Sequence, residues 1–246
     1  MAEETTTETT AVTDEKTLVP SEKYLKTGCH IGTKFTSGDM KKYIFKKRKD
    51  GLNVLDISTI DERIRLAAEF LSNFEPSRIA VVSRKLYGQT PAKKFCEETG
   101  ARPFVGRFVP GTFSNPESTQ FFEPKVLLCT EPDADEQAIK EATVIKIPVV
   151  ALASTNNSLK GIDLAIPVNN KGRQSLALVY WLIAREMLKK SGELKDSAKF
   201  DEKLADFEYI VKEGEERDED KQRGRRPFRR FGDRNSGGRS FGPRRF

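Results

Sequence analysis

A chain of 246 residues with a formal net charge of +6 is long enough for one substantial domain with tails, or for two small ones. The charge is segregated, at −4 over Met1–Pro20, +7 over Ser21–Arg185, −6 over Glu186–Asp220 and +9 over Lys221–Phe246, so the middle and the tail both seek polyanions. The longest apolar run, Leu176–Ala184, has nine residues and cannot span a bilayer, while Cys29, Cys96 and Cys129 fit reduced cytosolic thiols and form no C-x-x-C zinc pair.

Met1 to about Pro20 is a polar Thr/Glu stretch with too little apolar surface to fold, and its acidic start is no signal peptide. Order is expected from about Tyr24. Gly28-Cys29-His30-Ile31-Gly32 reads as a tight-turn region, followed by the basic run Lys41-Lys42-Tyr43-Ile44-Phe45-Lys46-Lys47-Arg48-Lys49. Asp50-Gly51 is a strong turn signal, so residues 43–46 and 53–57 are expected to form a hairpin. Strand alternation would place Lys42, Lys46 and Arg48 on one side and Tyr43 and Phe45 on the other, facing the core.

Thr59-x-x-Glu62 is a capping box opening a helix whose Ile60, Ile64, Ala67, Ala68 and Leu71 share a face, and Pro76 stops it. Short apolar strands then alternate with helices. Strand Ile79–Ser83 precedes a helix capped by Thr90-Pro91 and ended by Gly100, and Pro103–Phe108 is a second strand. Beyond the loop Gly111–Pro124 come strand Val126–Thr130, helix Asp133–Lys146, and strands Val149–Ser154 and Leu164–Val168. A long helix runs from about Gly172 to Lys190, and Ala198–Lys212 places Phe200, Leu204, Phe207 and Val211 on one stripe of a helix expected to dock on the core. This alternation predicts a parallel sheet covered by helices on both faces, a three-layer α/β domain.

Open parallel sheets bind ligands beyond the carboxyl ends of their strands, so an enzyme binding a small phosphate or nucleotide ligand is the first rival reading. The first strand leads, however, into Ser83-Arg84-Lys85-Leu86-Tyr87-Gly88, which is neither a dinucleotide fingerprint nor a P-loop. Arg84 and Lys85 could contact RNA phosphates there or be merely solvated. Carboxylates cluster in Glu131-Pro132-Asp133-Ala134-Asp135-Glu136; Asp133 and Asp135 are expected to cap the following helix rather than to hold a metal. His30 is the only histidine, which supports neither a nucleophilic triad nor a metal site; it is expected to be packed or hydrogen-bonded. Asn169-Asn170-Lys171-Gly172-Arg173 offers backbone donors and two cations at a helix start, a weak anion motif. The last 26 residues hold ten Lys/Arg, four Phe, five Gly and one acid, a composition that tracks a polyanion; a third reading is therefore a general single-strand RNA binder acting through this tail.

Five ordered pieces carry a resemblance over about residues 24–190. They are Gly28-Cys29-His30-Ile31-Gly32; Gly111-Thr112-Phe113-Ser114-Asn115; Pro124-Lys125-Val126-Leu127-Leu128 with the acidic turn and Glu141; Ile147-Pro148-Val149-Val150-Ala151-Leu152; and Ile166-Pro167-Val168-Asn169-Asn170-Lys171-Gly172. Together they resemble the universal small-subunit ribosomal protein two family. Only Pro116–Glu123 stands where bacterial members carry a long helical hairpin, and the Asn169–Gly172 form and Ala184-Arg185-Glu186 look like the archaeal and eukaryotic branch, which includes the laminin-receptor precursor. The tail lacks the acidic, Trp-containing repeats of animal members, so an archaeal source is expected.

The resemblance implies a flavodoxin-like sheet of five parallel strands in the order 2-1-3-4-5 and a non-catalytic, structural role in the cytoplasmic small subunit, contacting ribosomal RNA and neighbouring ribosomal proteins. Neither cofactor, metal, membrane nor small-molecule substrate is expected. The expected organisation is a disordered acidic segment 1–20, the ribosomal domain 21–190, an acidic segment 191–220 with an amphipathic helix, and a disordered basic tail 221–246. Candidate RNA contacts are led by Lys41, Lys42, Lys46, Lys47, Arg48 and Lys49. Lys34, Arg84, Lys85, Arg107, Lys171 and Arg173 are secondary, and Arg225, Arg226, Arg229 and Arg230 serve in the tail.

Overall fold

The β-branched apolar runs align side by side as one parallel sheet. The computed structural model describes residues 17–192, 200 and 203–210. After helix α1 (Ser21–Thr27), the hairpin strands β1 (Ile44–Lys47) and β2 (Asn53–Leu55) and helix α2 (Ile57–Ser72), the sheet strands are β3 (Ile79–Ser83), β4 (Arg102–Val105), β5 (Val126–Cys129), β6 (Val149–Ala153) and β7 (Leu164–Pro167). Helix α3 (Leu86–Thr99) joins β3 to β4, α4 (Glu136–Val144) joins β5 to β6, and α5 (Arg173–Ser191) follows β7. The spatial order β4-β3-β5-β6-β7, parallel throughout, is the expected 2-1-3-4-5 of a flavodoxin-like α/β fold.

Strand side chains alternate between two cores. Ile79, Val81, Val126, Leu128, Val150 and Leu152 pack towards α2, α3 and α5 through Ile60, Ile64, Phe95, Leu178 and Trp181. Ala80, Val82, Leu127, Cys129, Val149 and Ala151 meet α4 through Ala138 and Ala142, and meet Phe113. On this second face the loop after β4 does the work of a helix. Phe113 lies 5.5 Å from Phe104 and 4.9 Å from Phe108, ring centre to ring centre, and Phe122 packs on Phe104 at 5.6 Å. Burying such a ring contributes roughly 1.5–3 kcal/mol.

The matched motif pieces bond to one another. Glu141 of α4 accepts the N–H groups of Gly111 (2.7 Å) and Phe113 (3.1 Å), so the Gly-Thr loop and the distant glutamate are one device. Gly111 has φ +89°, a conformation that favours glycine. Likewise Asn169 donates its backbone N–H to Cys29 (2.9 Å) and its side-chain amide to Gly28 (3.1 Å), tying the first motif to the last.

Several local expectations are corrected. Asp56, not Thr59, caps α2, accepting from Ser58 N–H and from the Thr59 hydroxyl. Helix α3 starts at Leu86, one turn before Thr90-Pro91, because Gly88 lets the first turn press against the end of β3. Asp135 stands at the start of α4 without a capping bond from its side chain, which serves the neighbouring loop instead. Phe45 is not core-facing: the register of β1 shifts between Ile44 and Lys46, leaving Tyr43 buried and Phe45 73% exposed. Within Ala198–Lys212, Lys203–Phe207 is a 3-10 helix and residues 208–210 are not helical, so no single α-helix runs through the described residues, of which Phe200 alone is α-helical. Its Phe207 and the preceding Phe200 are buried on the core, where the Trp181 indole N–H donates to the Phe200 carbonyl at 2.9 Å. Val211 lies outside the described residues, as do the N-terminal 16 residues and the basic tail.

Candidate nucleic-acid interface

The crevice at the carboxyl ends of β3 and β5, where strand order reverses, is the usual ligand site of this architecture. Here the chain's own side chains fill it. Lys85 Nζ donates to the buried Glu131 carboxylate at 2.7 Å, and Asp135, also buried, accepts the backbone N–H of Arg84 (2.9 Å) and of Glu131 (3.3 Å). Burial drives the Asp135 carboxyl up to about 6, against the downward pull of those N–H donors. Beneath them the Thr130 and Tyr180 hydroxyls share a 2.7 Å hydrogen bond, and a Cβ on Gly88 would stand 2.4 Å from Ser83 Oγ. Of the two cations expected here, Lys85 is thus engaged in an ion pair, while Arg84 is exposed.

The carboxyl ends of β6 and β7 are covered by the N-terminal motif. Thr33 N–H donates to Thr155 Oγ1 (2.8 Å), and a Cβ on Gly32 would lie 2.4 Å from Thr155 Cγ2, so only glycine lets the backbone cross there. Lys171 reaches Asn156 Oδ1 at 3.2 Å, and Arg173 opens α5 exposed. Lys34 and Arg107 are exposed as well, Lys34 beside Phe35, which is 79% exposed.

Of the leading candidates, Lys41 and Lys42 line one cleft, while Lys46, Lys47, Arg48 and Lys49 lie on the hairpin outside its lining. Lys41, Lys42, Lys46, Lys47, Arg48 and Lys49 are all exposed, Arg48 making only a loose 3.6 Å pair with Asp50. Between the turn 38–43 and the segment 159–165 lies a cleft of about 720 Å³ whose walls include Lys41, Lys42, Arg63 and Lys160. Tyr43 lines it, with Lys42 Nζ 4.9 Å and the Arg63 guanidinium 5.5 Å from its ring centre. The two acids in this cleft are turned to the backbone: Asp39 accepts Leu159 N–H (3.2 Å) and Asp163 accepts Val149 N–H (2.8 Å). Sequence reading missed Arg63 and Lys160. Arg63 is a polar-face residue of α2, Lys160 belongs to a turn, and no local pattern joins them across 97 positions. Arg225, Arg226, Arg229 and Arg230 lie outside the described residues.

The remaining reactive groups are quiet. All three cysteines are buried, and burial raises their thiols, Cys96 to about 12. His30 is half-buried, and its Nδ1 is buried without a hydrogen-bond partner. Among the described residues no helix is long and apolar enough to cross a membrane.

Comparison with known proteins gives consistent matches. Residues 118–190 match the family described as Ribosomal protein S2. The chain is 52% identical over 195 residues to the small ribosomal subunit protein uS2 of Staphylothermus marinus, spanning 79% of this chain and 89% of that protein. It is 50% identical over 198 residues to the protein of the same name from Ignicoccus hospitalis, spanning 79% and 93%.

Proposed function

The chain belongs to the ribosomal protein S2 family, and from that premise we propose that it is a structural constituent of the small ribosomal subunit in the cytoplasm, binding ribosomal RNA and neighbouring ribosomal proteins without catalysing a reaction. The observation that carries this reading is the similarity itself, spread over about nine-tenths of the archaeal relatives' length. The geometry supports it from two sides. A nucleotide-type sheet has its crevice closed by Lys85, Glu131 and Asp135, and an exposed run of cations stands apart from that crevice on the hairpin. Such cations hold a folded RNA through phosphates, which fix position and orientation rather than sequence.

The test is competitive binding to full-length ribosomal RNA of an archaeal relative. Small-subunit RNA should be retained preferentially at physiological salt, and affinity should fall as salt rises. Equal competition by large-subunit RNA would refute the assignment. The basic tail acts in this reading as an accessory arm adding phosphate contacts to a domain specified by the rest of the chain.

A further inference from the structure

Resting on the ribosomal reading, we propose that the cleft between the turn 38–43 and the segment 159–165 binds an unpaired stretch of RNA, its phosphates held by Lys41, Lys42, Arg63 and Lys160 and an adjacent base stacked on Phe45.

Charge points to an anion. Among the described residues none of the four cations is in an ion pair, although ion pairs are frequent elsewhere on the surface. The two carboxylates of the lining, Asp39 and Asp163, are each held by a backbone N–H and pair with none of these cations. Four cations against two carboxylates leave the cleft lining with a net positive charge, and phosphates would be held there with release of counterions.

Shape and the exposed aromatic specify the form of the polyanion. A concave cleft admits one sugar-phosphate backbone, whereas an A-form duplex is read across its wide, shallow minor groove by surfaces that lie against it. Phe45 is 73% exposed on a lysine-rich strand and packs on nothing in the core. It stands on β1 two residues after Tyr43, which ends the short 3-10 turn Lys41–Tyr43 at the cleft, so the two Cα atoms are no more than about 7 Å apart and a chain leaving the cleft passes within reach of its ring. Cationic grooves paired with exposed rings are how single strands are bound, because every base has a face to stack.

The test uses the full chain, whose basic tail then contributes equally to every variant. Fluorescence anisotropy is read with a labelled uridine oligonucleotide of about twelve nucleotides and with a blunt RNA duplex of similar length. Arg63→Gln with Lys160→Gln should weaken single-strand binding about tenfold and lower its salt slope by ~0.7 log units per lost contact. Phe45→Ala should cost about fivefold or more on the single strand and little on the duplex, with Phe45→Trp restoring binding. Equal losses on strand and duplex, a neutral Phe45→Ala, or equally effective competition by polyglutamate would overturn the proposal, the last by placing an acidic protein segment in the cleft. Unchanged melting temperatures show that the variants remain folded. If wild-type chain co-sediments with small subunits while these variants bind RNA normally, the cleft assignment fails and the ribosomal reading stands.

Discussion

Replacing Glu141 by Gln should loosen the aromatic loop that covers one face of the sheet. In the native chain Oε1 accepts from Gly111 N–H (2.7 Å) and Gln137 Nε2 (2.9 Å), while Oε2 accepts from Phe113 N–H (3.1 Å) and the Ser114 hydroxyl (3.4 Å). Glutamine keeps one acceptor oxygen and turns an N–H₂ group towards the other two donors. Hydrogen bonds to a charged acceptor are worth about 1.5–3 kcal/mol each, so a loss of about 3 kcal/mol is expected, or ~6–12 °C in Tm for a unit of this size. The sign with pH is also set. Burial opposes ionisation of Glu141, but its donors together hold the carboxyl below the ordinary value of 4.5. Its contribution is therefore complete above that value and is lost as pH falls through the lower folded one. Thermal melts of both proteins at neutral pH and near pH ~3 are the assay. A Tm change under about 2 °C at neutral pH, or a difference that grows in acid, would refute the reasoning.

Asp135 behaves in the opposite sense. Its carboxyl, which burial raises to about 6 against the pull of the Glu131, Arg84 and Cys129 donors, opposes folding as it ionises. It should therefore reduce stability by about 3 kcal/mol as pH climbs from ~4 to ~6. A carbon-detected NMR titration of Asp135 should show a midpoint near 6; one in the ordinary carboxylate range would contradict this. Gly88→Ala ought to improve helix propensity by about 1 kcal/mol, yet its Cβ would lie 2.4 Å from Ser83 Oγ and 2.8 Å from Thr130 Cγ2. Net destabilisation of ~1–2 kcal/mol is expected in urea titration, and a stabilised variant would show that the end of β3 has room to give. Charge reversal at Lys46, Lys47 and Arg48 should leave melting nearly unchanged, since all three are exposed, while weakening RNA binding and incorporation into subunits. Normal incorporation would rule out the hairpin as a contact.

Much of the sheet was legible because each strand is a short apolar run bounded by turn residues and helix caps, and periodicity reports those directly. Gly100 and Gly172 marked helix ends correctly for the same reason. The motif pieces were also visible, but not their meaning: that Gly111 bonds Glu141, or that Cys29 receives the Asn169 N–H, depends on chain reversals no local pattern encodes. Phe45 was misplaced because period-two alternation assumes an unbroken ladder, and one register shift turned the ring outward. Lys85 looked free for RNA because its partner Glu131 is 46 positions away. Arg63 and Lys160 went unseen because a cleft built from α2, the turn 38–43 and the loop before β7 exists only after folding.

The central claim is that this chain is built into the small ribosomal subunit. Sucrose-gradient sedimentation of tagged full-length protein, from cells of an archaeal relative that express it, tests that most directly. The chain should travel with the small subunit and stay there through a wash at moderate salt. Protein found only at the top of the gradient, or following the large subunit, would contradict the account.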